Sequence, residues 1–360
     1  HTGHLESAKN VARKVLMKPM IGLFDEFIRE SRPPVFFLTG RSGHGKSSLI
    51  NALAGKKLAQ DNPVRPQQTK AEAYDIHFPE KGATWKVVDS RGFFETSIVG
   101  GPIIDDEVEG LLKDILEYEP DIVLHVISAT EIRTMKKDFE LIDELRKRIR
   151  RSYGRDIPFV AVINKCDGLG GRPQDWPPEN HPTKAQHIQN VQKYLMRDIL
   201  GVPEVKHFDA RYEENGLWLS GDDYYVAVVP TSCIEDVPWN IDTISDVVLD
   251  KLPDSALLDY VQAQGHKEGL LKISRKIRKR FAAIAVGIGA IPIPLPDFVL
   301  LAPLQIAMVM LIGGLSCRVP SKETAFEFLA AAGINLGAGY ALREGARQIM
   351  KFVPAGFAVS

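Results

Sequence analysis

The sequence predicts an α/β fold, a mostly parallel sheet flanked by helices, followed by a C-terminal all-α domain of apolar helices. Three observations carry this expectation. A glycine-rich loop, Gly40-Arg41-Ser42-Gly43-His44-Gly45-Lys46-Ser47, sits between the apolar run Val35-Phe36-Phe37-Leu38 and the helical pattern Ser48-Leu49-Ile50-Asn51-Ala52-Leu53. Short uncharged runs, such as 122–128 and 159–163, alternate with charged helix-periodic segments, as β-α-β units do. After about Gly265 the composition shifts to a basic segment and then to long uncharged stretches. The expected divisions are an N-terminal amphipathic helix over 1–32, the α/β domain over 33–252 and the apolar helical domain over 253–360.

The first element after the N-terminal helix is the strand at Val35, and the loop behind it fits G-x-x-x-x-G-K-[ST]. Glycines let main-chain N–H groups curl around phosphate oxygens, and a helix N-terminus adds partial positive charge. Gly40, Arg41, Ser42, Gly43, His44, Gly45, Lys46, Ser47 and Ser48 are therefore the candidate phosphate-binding residues. Lys46 would reach the β- and γ-phosphates, and the Ser47 hydroxyl would ligate Mg2+.

Next come Pro66-Gln67-Gln68-Thr69-Lys70 and the strand Trp85-Lys86-Val87-Val88-Asp89, which ends in D-x-x-G at Gly92. Thr69 would close over the metal, Asp89 would orient a metal-bound water, and the Gly92 amide would meet the γ-phosphate. Residues 122–128 form another strand, and a charged helix follows over about 135–151, with Phe139, Ile142, Leu145 and Ile149 on one face.

The run Phe159-Val160-Ala161-Val162-Ile163 reads as a fully buried strand ending in Asn164-Lys165-Cys166-Asp167. The Asp167 carboxylate can accept from the ring N–H and the exocyclic amine of guanine. Adenine has an acceptor where guanine has that N–H, and a site built on hydrogen bonds rejects such an analogue strongly. Asn164 would join the base site to the phosphate loop, and the stem of Lys165 would cover the ring. Farther on, Val228-Val229-Pro230-Thr231-Ser232-Cys233 is a strand and turn whose Ser232 and Cys233 border the base, with the Ser232 amide aimed at the guanine oxygen.

The succession GRSGHGKSSLINAL, PQQTK, DSRG, NKCD and TSC resembles the Era-like (TrmE-Era-EngA-Septin-like) branch of translation-factor-related GTPases, over roughly residues 33–250. The resemblance implies a mostly parallel sheet with the nucleotide at the strand C-terminal ends, and a switch that binds and hydrolyses GTP. GTP or GDP and Mg2+ are the implied cofactors, and Lys46, Thr69 and Gly92 the implied catalytic residues.

Two positions depart from the pattern. Hydrolysis needs a water in line with the γ-phosphate, often held by a glutamine after D-x-x-G. Phe93 and Phe94 stand there instead. The phosphate-loop asparagine that binds potassium in some Era-like members is replaced by Gly43. The expectation is slow intrinsic hydrolysis, accelerated by self-association (a homodimer or oligomer in the GTP state) or by a partner. His44 reads as an ordinary loop residue before a catalytic one. Arg41 and Arg91 read as solvated before they read as arginine fingers.

Net charge is −1, which gives no global attraction to nucleic acid and makes it an unexpected partner. Cys166, Cys233 and Cys317 are far apart and lack C-x-x-C spacing, as in reduced thiols of a cytoplasmic protein, and Cys166 is a candidate for modification because it lies in the base motif. The opening His1-Thr2-Gly3-His4 reads as an added leader, and no secretory signal is visible. Over 5–29 the apolar spacing gives an amphipathic helix that packs on the rest of the chain or meets a membrane. Residues 168–223 are long for a connection: loop, then helix over 183–200, then an irregular insert over 203–223.

The apolar third opens with Lys267, Lys272, Arg275, Lys276, Arg278, Lys279 and Arg280. Residues 281–291 carry no charge, Pro292, Pro294 and Pro296 then force a turn, and 298–317 is a second uncharged run. Twenty helical residues span roughly 30 Å, the thickness of the hydrocarbon core. One reading is a hairpin that meets membrane lipid through 265–317 at the inner, anionic face of a membrane. The other is a helical bundle with 323–332 and 338–352, favoured by Pro303 and Gln305. The segment IAVGIGAIPIPLPD also resembles an apolar helical domain of undefined function fused behind Era-like GTPases, and the chain reads as though it continues past Ser360. The competing classes are an RNA- or ribosome-binding assembly factor and a dynamin-like or immunity-related remodeller.

Overall fold

The computed structural model describes residues 31–55, 71–90, 105–154, 156–172, 175–201, 217–218 and 225–265, with scattered positions between 269 and 308. Thr69, Arg91, Gly92, Phe93 and Phe94 lie outside the described residues, as do the 5–29 helix, nearly all of 281–317 and the helices expected at 323–332 and 338–352.

In chain order, β1 is Val35–Thr39, α1 Lys46–Ala54, β2 Glu72–Phe78, β3 Ala83–Asp89, α2 Asp105–Tyr118, β4 Ile122–Ser128, α3 Lys136–Tyr153 and β5 Phe159–Asn164. Then follow α4 Pro182–Tyr194, β6 Leu217–Trp218, β7 Ala227–Pro230, α5 Ile241–Lys251 and α6 Asp254–Gln264. The seven strands form one sheet in the order β2-β3-β1-β4-β5-β7-β6. β1 is parallel to both β3 and β4, β4 to β5, and β5 to β7, while β6 runs antiparallel to β7.

This is the α/β architecture read from the sequence, and its central strands show why. Every residue of β4 and of β5 is buried, as expected of strands covered on both faces, and both are rich in Val and Ile. In α3 the stripe Phe139, Ile142, Leu145 and Ile149 is buried in the core with Phe159 and Ile163, whereas Lys147–Asp143 and Arg148–Glu144 pair across the outer face. Each large apolar side chain so buried is worth roughly 1.5–3 kcal/mol. Within the segment expected to be irregular over 203–223, the described residues are those of the two-residue edge strand β6.

β1 has β3 on one side and β4 on the other, so the chain leaves β1 at the point where strand order reverses. In open α/β sheets such a point is where a ligand crevice forms, beyond the strand C-termini. Asp89, Asn164 and the 231–233 turn all follow or end strands at that same edge.

The chain divides into two compact units, one of residues 34–76 and 85–253, the other of 1–33, 77–84 and 254–360. Within the second, the Thr84 N–H donates to Asp259 at 3.0 Å and Lys81 Nζ to the Ala263 carbonyl at 2.6 Å. No helix of the described residues is long and apolar enough to cross a membrane.

Candidate nucleotide-binding site

The loop from Gly40 to Ser47 can be made only with its glycines in place. Gly40 has φ +136°, and a Cβ there would lie 2.2 Å from the Val126 carbonyl oxygen of β4. Gly45 has φ +93°, and its Cβ would meet the Asn164 amide nitrogen at 2.3 Å. Both are close approaches in a backbone region that side chains avoid. At Gly43, with φ +77°, a Cβ would find nothing within 4 Å, so the loop opens outward there. Ser42, Gly43 and Ser47 are exposed at the N-terminal end of α1.

Lys46 is buried and braces the loop, donating to the carbonyls of Gly40 at 2.9 Å and Arg41 at 3.3 Å, with Asp89 at 3.8 Å. Asp89 ends β3 and is buried. His44 is also buried: Nδ1 lies 3.3 Å from the Val126 carbonyl and Nε2 3.3 Å from the Glu131 carboxylate. Its place is under the loop. Arg41 differs from both sequence readings. Its guanidinium grips Asp138 of α3 through two bonds, Nε to Oδ2 at 2.9 Å and NH2 to Oδ1 at 2.7 Å. Arg41 is thus neither solvated nor free to act as a finger in cis. Burial pushes the Asp138 carboxyl above the usual carboxylate range, and Arg41 pulls it part of the way back.

On the base side, Asn164 makes the link between the motifs. Its Nδ2 donates to the His44 carbonyl at 3.0 Å, and its Oδ1 accepts the Cys233 N–H at 3.2 Å. The side chain is 2 % exposed, so these are bonds shielded from water. Lys165 is exposed with φ +63°, and Cys166–Gly168 form a 3-10 turn. Asp167 accepts the Ser232 hydroxyl at 2.5 Å. The Ser232 N–H, expected at the guanine oxygen, is instead donated to the Trp239 carbonyl at 3.1 Å. The reason is a local bridge: the 232–239 loop closes on itself, with the Trp239 N–H returned to the Ser232 carbonyl at 2.9 Å.

Four residues near the site carried no sequence signal. Lys184 of α4 donates to the Asp167 and Leu169 carbonyls at 2.7 and 2.6 Å. Asp138 and Trp239 hold Arg41 and the 231–232 turn. Tyr225 lies 2.6 Å from Nδ1 of His125, a β4 residue in register with Thr39. Burial is the main force pushing the His125 pKa down, to about 3, and the nearby charges of His44 and Lys46 add to it. Burial likewise raises the Cys233 thiol to about 12 and pushes Cys166 up, so neither supplies thiolate near neutral pH; this counts against Cys166 as a modification site.

The arrangement suits a nucleoside triphosphate with Mg2+. An ammonium and an outward-opening glycine loop meet at a helix N-terminus, which is anion chemistry. Ser47 and Asp89 offer the hard oxygen donors that Mg2+ takes. Among the described residues no cluster of three or more His, Cys, Asp or Glu could hold a metal. Thr69 and Gly92, the other expected contributors, lie outside the described residues.

Comparison of the sequence with known families and relatives points the same way. The family described as "50S ribosome-binding GTPase" matches residues 35–165. A probable GTP-binding protein EngB of Koribacter versatilis is 31% identical over 162 residues, which is 44% of this chain and 75% of that protein. The tRNA modification GTPase MnmE of Paraburkholderia xenovorans is 32% identical over 139 residues, 38% of this chain but only 26% of that protein. Among solved structures, a probable GTP-binding protein EngB covers 60% of this chain and 97% of its own at 18% identity, with a TM-score of 0.35.

Proposed function

Because this chain belongs to the P-loop GTPases of the TrmE-Era-EngA type, we propose that it works as a slow guanine-nucleotide switch whose output is docking at an anionic lipid surface. As a member of that class it binds GTP and GDP and hydrolyses GTP with Mg2+. The observation that carries the reading is the Asn164 knot, one buried amide joining the phosphate loop to the 231–233 turn.

In the proposed site Asp167 pairs with the guanine N–H groups, and the stem of Lys165 covers the ring. Lys46 and the loop amides bind phosphates, and Ser47, Thr69 and Asp89 hold the metal. Mg2+, when bound, neutralises charge on the phosphate oxygens. The Gly92 amide senses the γ-phosphate, so the loops around Thr69 and Gly92 are ordered by GTP and released after hydrolysis. Slow turnover follows from the residues that are missing a role. Phe93 stands where a water-orienting glutamine is common, Gly43 replaces the potassium-linked asparagine, and Arg41 is tied to Asp138. Self-association in the GTP state, or a partner, would supply the missing group. A single-turnover assay on dilute protein should show slow hydrolysis; fast, potassium-independent turnover by the monomer would end this part of the proposal.

The lipid output is supported by the basic segment from Lys267 to Arg280 and the uncharged runs 281–291 and 298–317. In the same region Leu271 and Val286 are 53% and 74% exposed. Flotation with anionic and with zwitterionic vesicles tests it, in GTP analogue and in GDP. Binding to anionic vesicles that changes with nucleotide supports the switch. A chain that stays unbound in both states, and binds RNA with a steep salt dependence, would favour the assembly-factor reading instead.

A further inference from the structure

Lys184 stands where local energetics disfavour a lysine. It is the third residue of α4, in a first turn that contains no acid, so its charge meets the positive end of the helix dipole. It is also 3 % exposed, and lysine is seldom buried without a paired charge. Both of its hydrogen bonds go to main-chain carbonyls, those of Asp167 and Leu169, at 2.7 and 2.6 Å. Were packing alone at stake, an apolar side chain of similar length would serve at least as well.

What those two carbonyls flank is the turn that carries the base acceptor. Leu169 N–H bonds the Cys166 carbonyl at 3.2 Å and Gly168 N–H the Lys165 carbonyl at 3.1 Å, so the turn is compact. On the opposite side, the Ser232 hydroxyl fixes Asp167 Oδ1 at 2.5 Å. Asp167 is therefore held at its carboxylate by one loop and at its carbonyl by a helix. To receive both the ring N–H and the exocyclic amine of guanine, the two carboxylate oxygens must lie in the plane of the base. Rotation of the Cys166–Gly168 turn would preserve phosphate binding and lose that alignment.

We propose that Lys184 is the positioning residue for base specificity: its clamp on the Asp167 and Leu169 carbonyls aims the Asp167 carboxylate at guanine. The inference rests on the reading of Asp167 as the guanine acceptor.

The test is the ratio of affinities for GDP and for inosine diphosphate, which lacks the exocyclic amine, measured by titration on the full chain. One lost hydrogen bond to a charged acceptor is worth about ten- to hundredfold, so the wild type should prefer GDP by that factor. Lys184→Met should bring the ratio to within about threefold of unity, because GDP loses two bonds to a misaligned Asp167 and inosine diphosphate only the ring N–H bond. A Lys184→Met ratio equal to that of the wild type, whether both affinities hold or fall together, overturns the proposal. If Lys184→Met does not fold, Lys184→Leu, which likewise has no donor for the two carbonyls, is read in its place against the same criterion. Failure of both variants to fold marks a purely structural staple and overturns it too. Asp167→Ala separates the two layers: a wild type with no preference, or an unchanged ratio in Asp167→Ala, removes the reading of Asp167 and the proposal with it. A preference that depends on Asp167 but not on Lys184 removes the proposal alone.

Discussion

On the phosphate side of the site, residues 40–47 are braced by charge: Lys46 on two loop carbonyls and near Asp89, and Arg41 on Asp138. On the base side the acceptor is held mostly by hydroxyl, amide and main-chain bonds: Asn164 between two loops, Ser232 on Asp167, Thr231 and Ser232 on Trp239, with the cation Lys184 beside them. Charged braces strengthen and weaken with pH and salt, whereas neutral bonds of buried groups respond to shape. A site of this kind should therefore lose affinity when its phosphate half is disturbed and lose selectivity when its base half is.

Acid makes the largest distinction. His125 lies under the phosphate half and has a pKa held down to about 3. A depressed folded pKa means that the unfolded chain binds more protons between pH 6.5 and 3. Stability is then fully present above about 6.5 and lost as pH falls, by as much as about 5 kcal/mol near pH 3. Denaturation midpoints at about pH 6.5, 5.5 and 4.5 (~1-unit steps through that window) should fall steeply for the wild type. They should fall less steeply for His125→Gln, whose amide can still accept the Tyr225 hydroxyl. Parallel slopes for the two proteins would count against the role of His125.

Asn164→Ala attacks the junction of the halves. It leaves the buried His44 carbonyl and Cys233 N–H without their bonds, which should cost about 2–4 kcal/mol in chemical denaturation. Gly45→Ala approaches the same contact from the other side, because its Cβ would press on the Asn164 amide. A loss below about 1 kcal/mol in Asn164→Ala would show that the halves are joined elsewhere.

Lys46→Met should lower GDP, GTP and inosine diphosphate affinity together, by about a hundredfold. The ratio of GDP to inosine diphosphate should stay as in the wild type. A change in that ratio would mean that the two halves are not separable, and the comparison would fail.

How much of this was legible in the sequence follows the same division. The five motifs and the strands that carry them depend on local chemistry, and the fold they imply is the one found: runs such as Phe159-Val160-Ala161-Val162-Ile163 admit few alternatives to a buried strand. The partners that hold the motifs are nonlocal. Asp138 meets Arg41 across 97 residues and Tyr225 meets His125 across 100, and neither residue type stands out where it lies. The use of the Ser232 amide was misread because it depends on Trp239, whose contribution is a main-chain carbonyl and so leaves no mark in the residue type. Lys184 was hidden for a related reason: in a polar helical stretch, one lysine among several gives no sign of being buried.

The smallest expected effect concerns Arg41, and it decides what charge on the phosphate side is for. An arginine that acted on the transferring phosphate would be worth about a thousandfold or more in hydrolysis. A tether to α3 would be worth about 1–3 kcal/mol of stability and little rate, since the guanidinium is spent on a carboxylate that is itself fully buried. Arg41→Ala should therefore change single-turnover hydrolysis by less than about tenfold. Arg41→Ala and Asp138→Asn should each destabilise the protein, and the double variant should lose less than the sum of the two. A thousandfold loss in rate with stability intact would move Arg41 from brace to chemistry, and the phosphate half would then contain a reacting group that the present geometry holds back on Asp138.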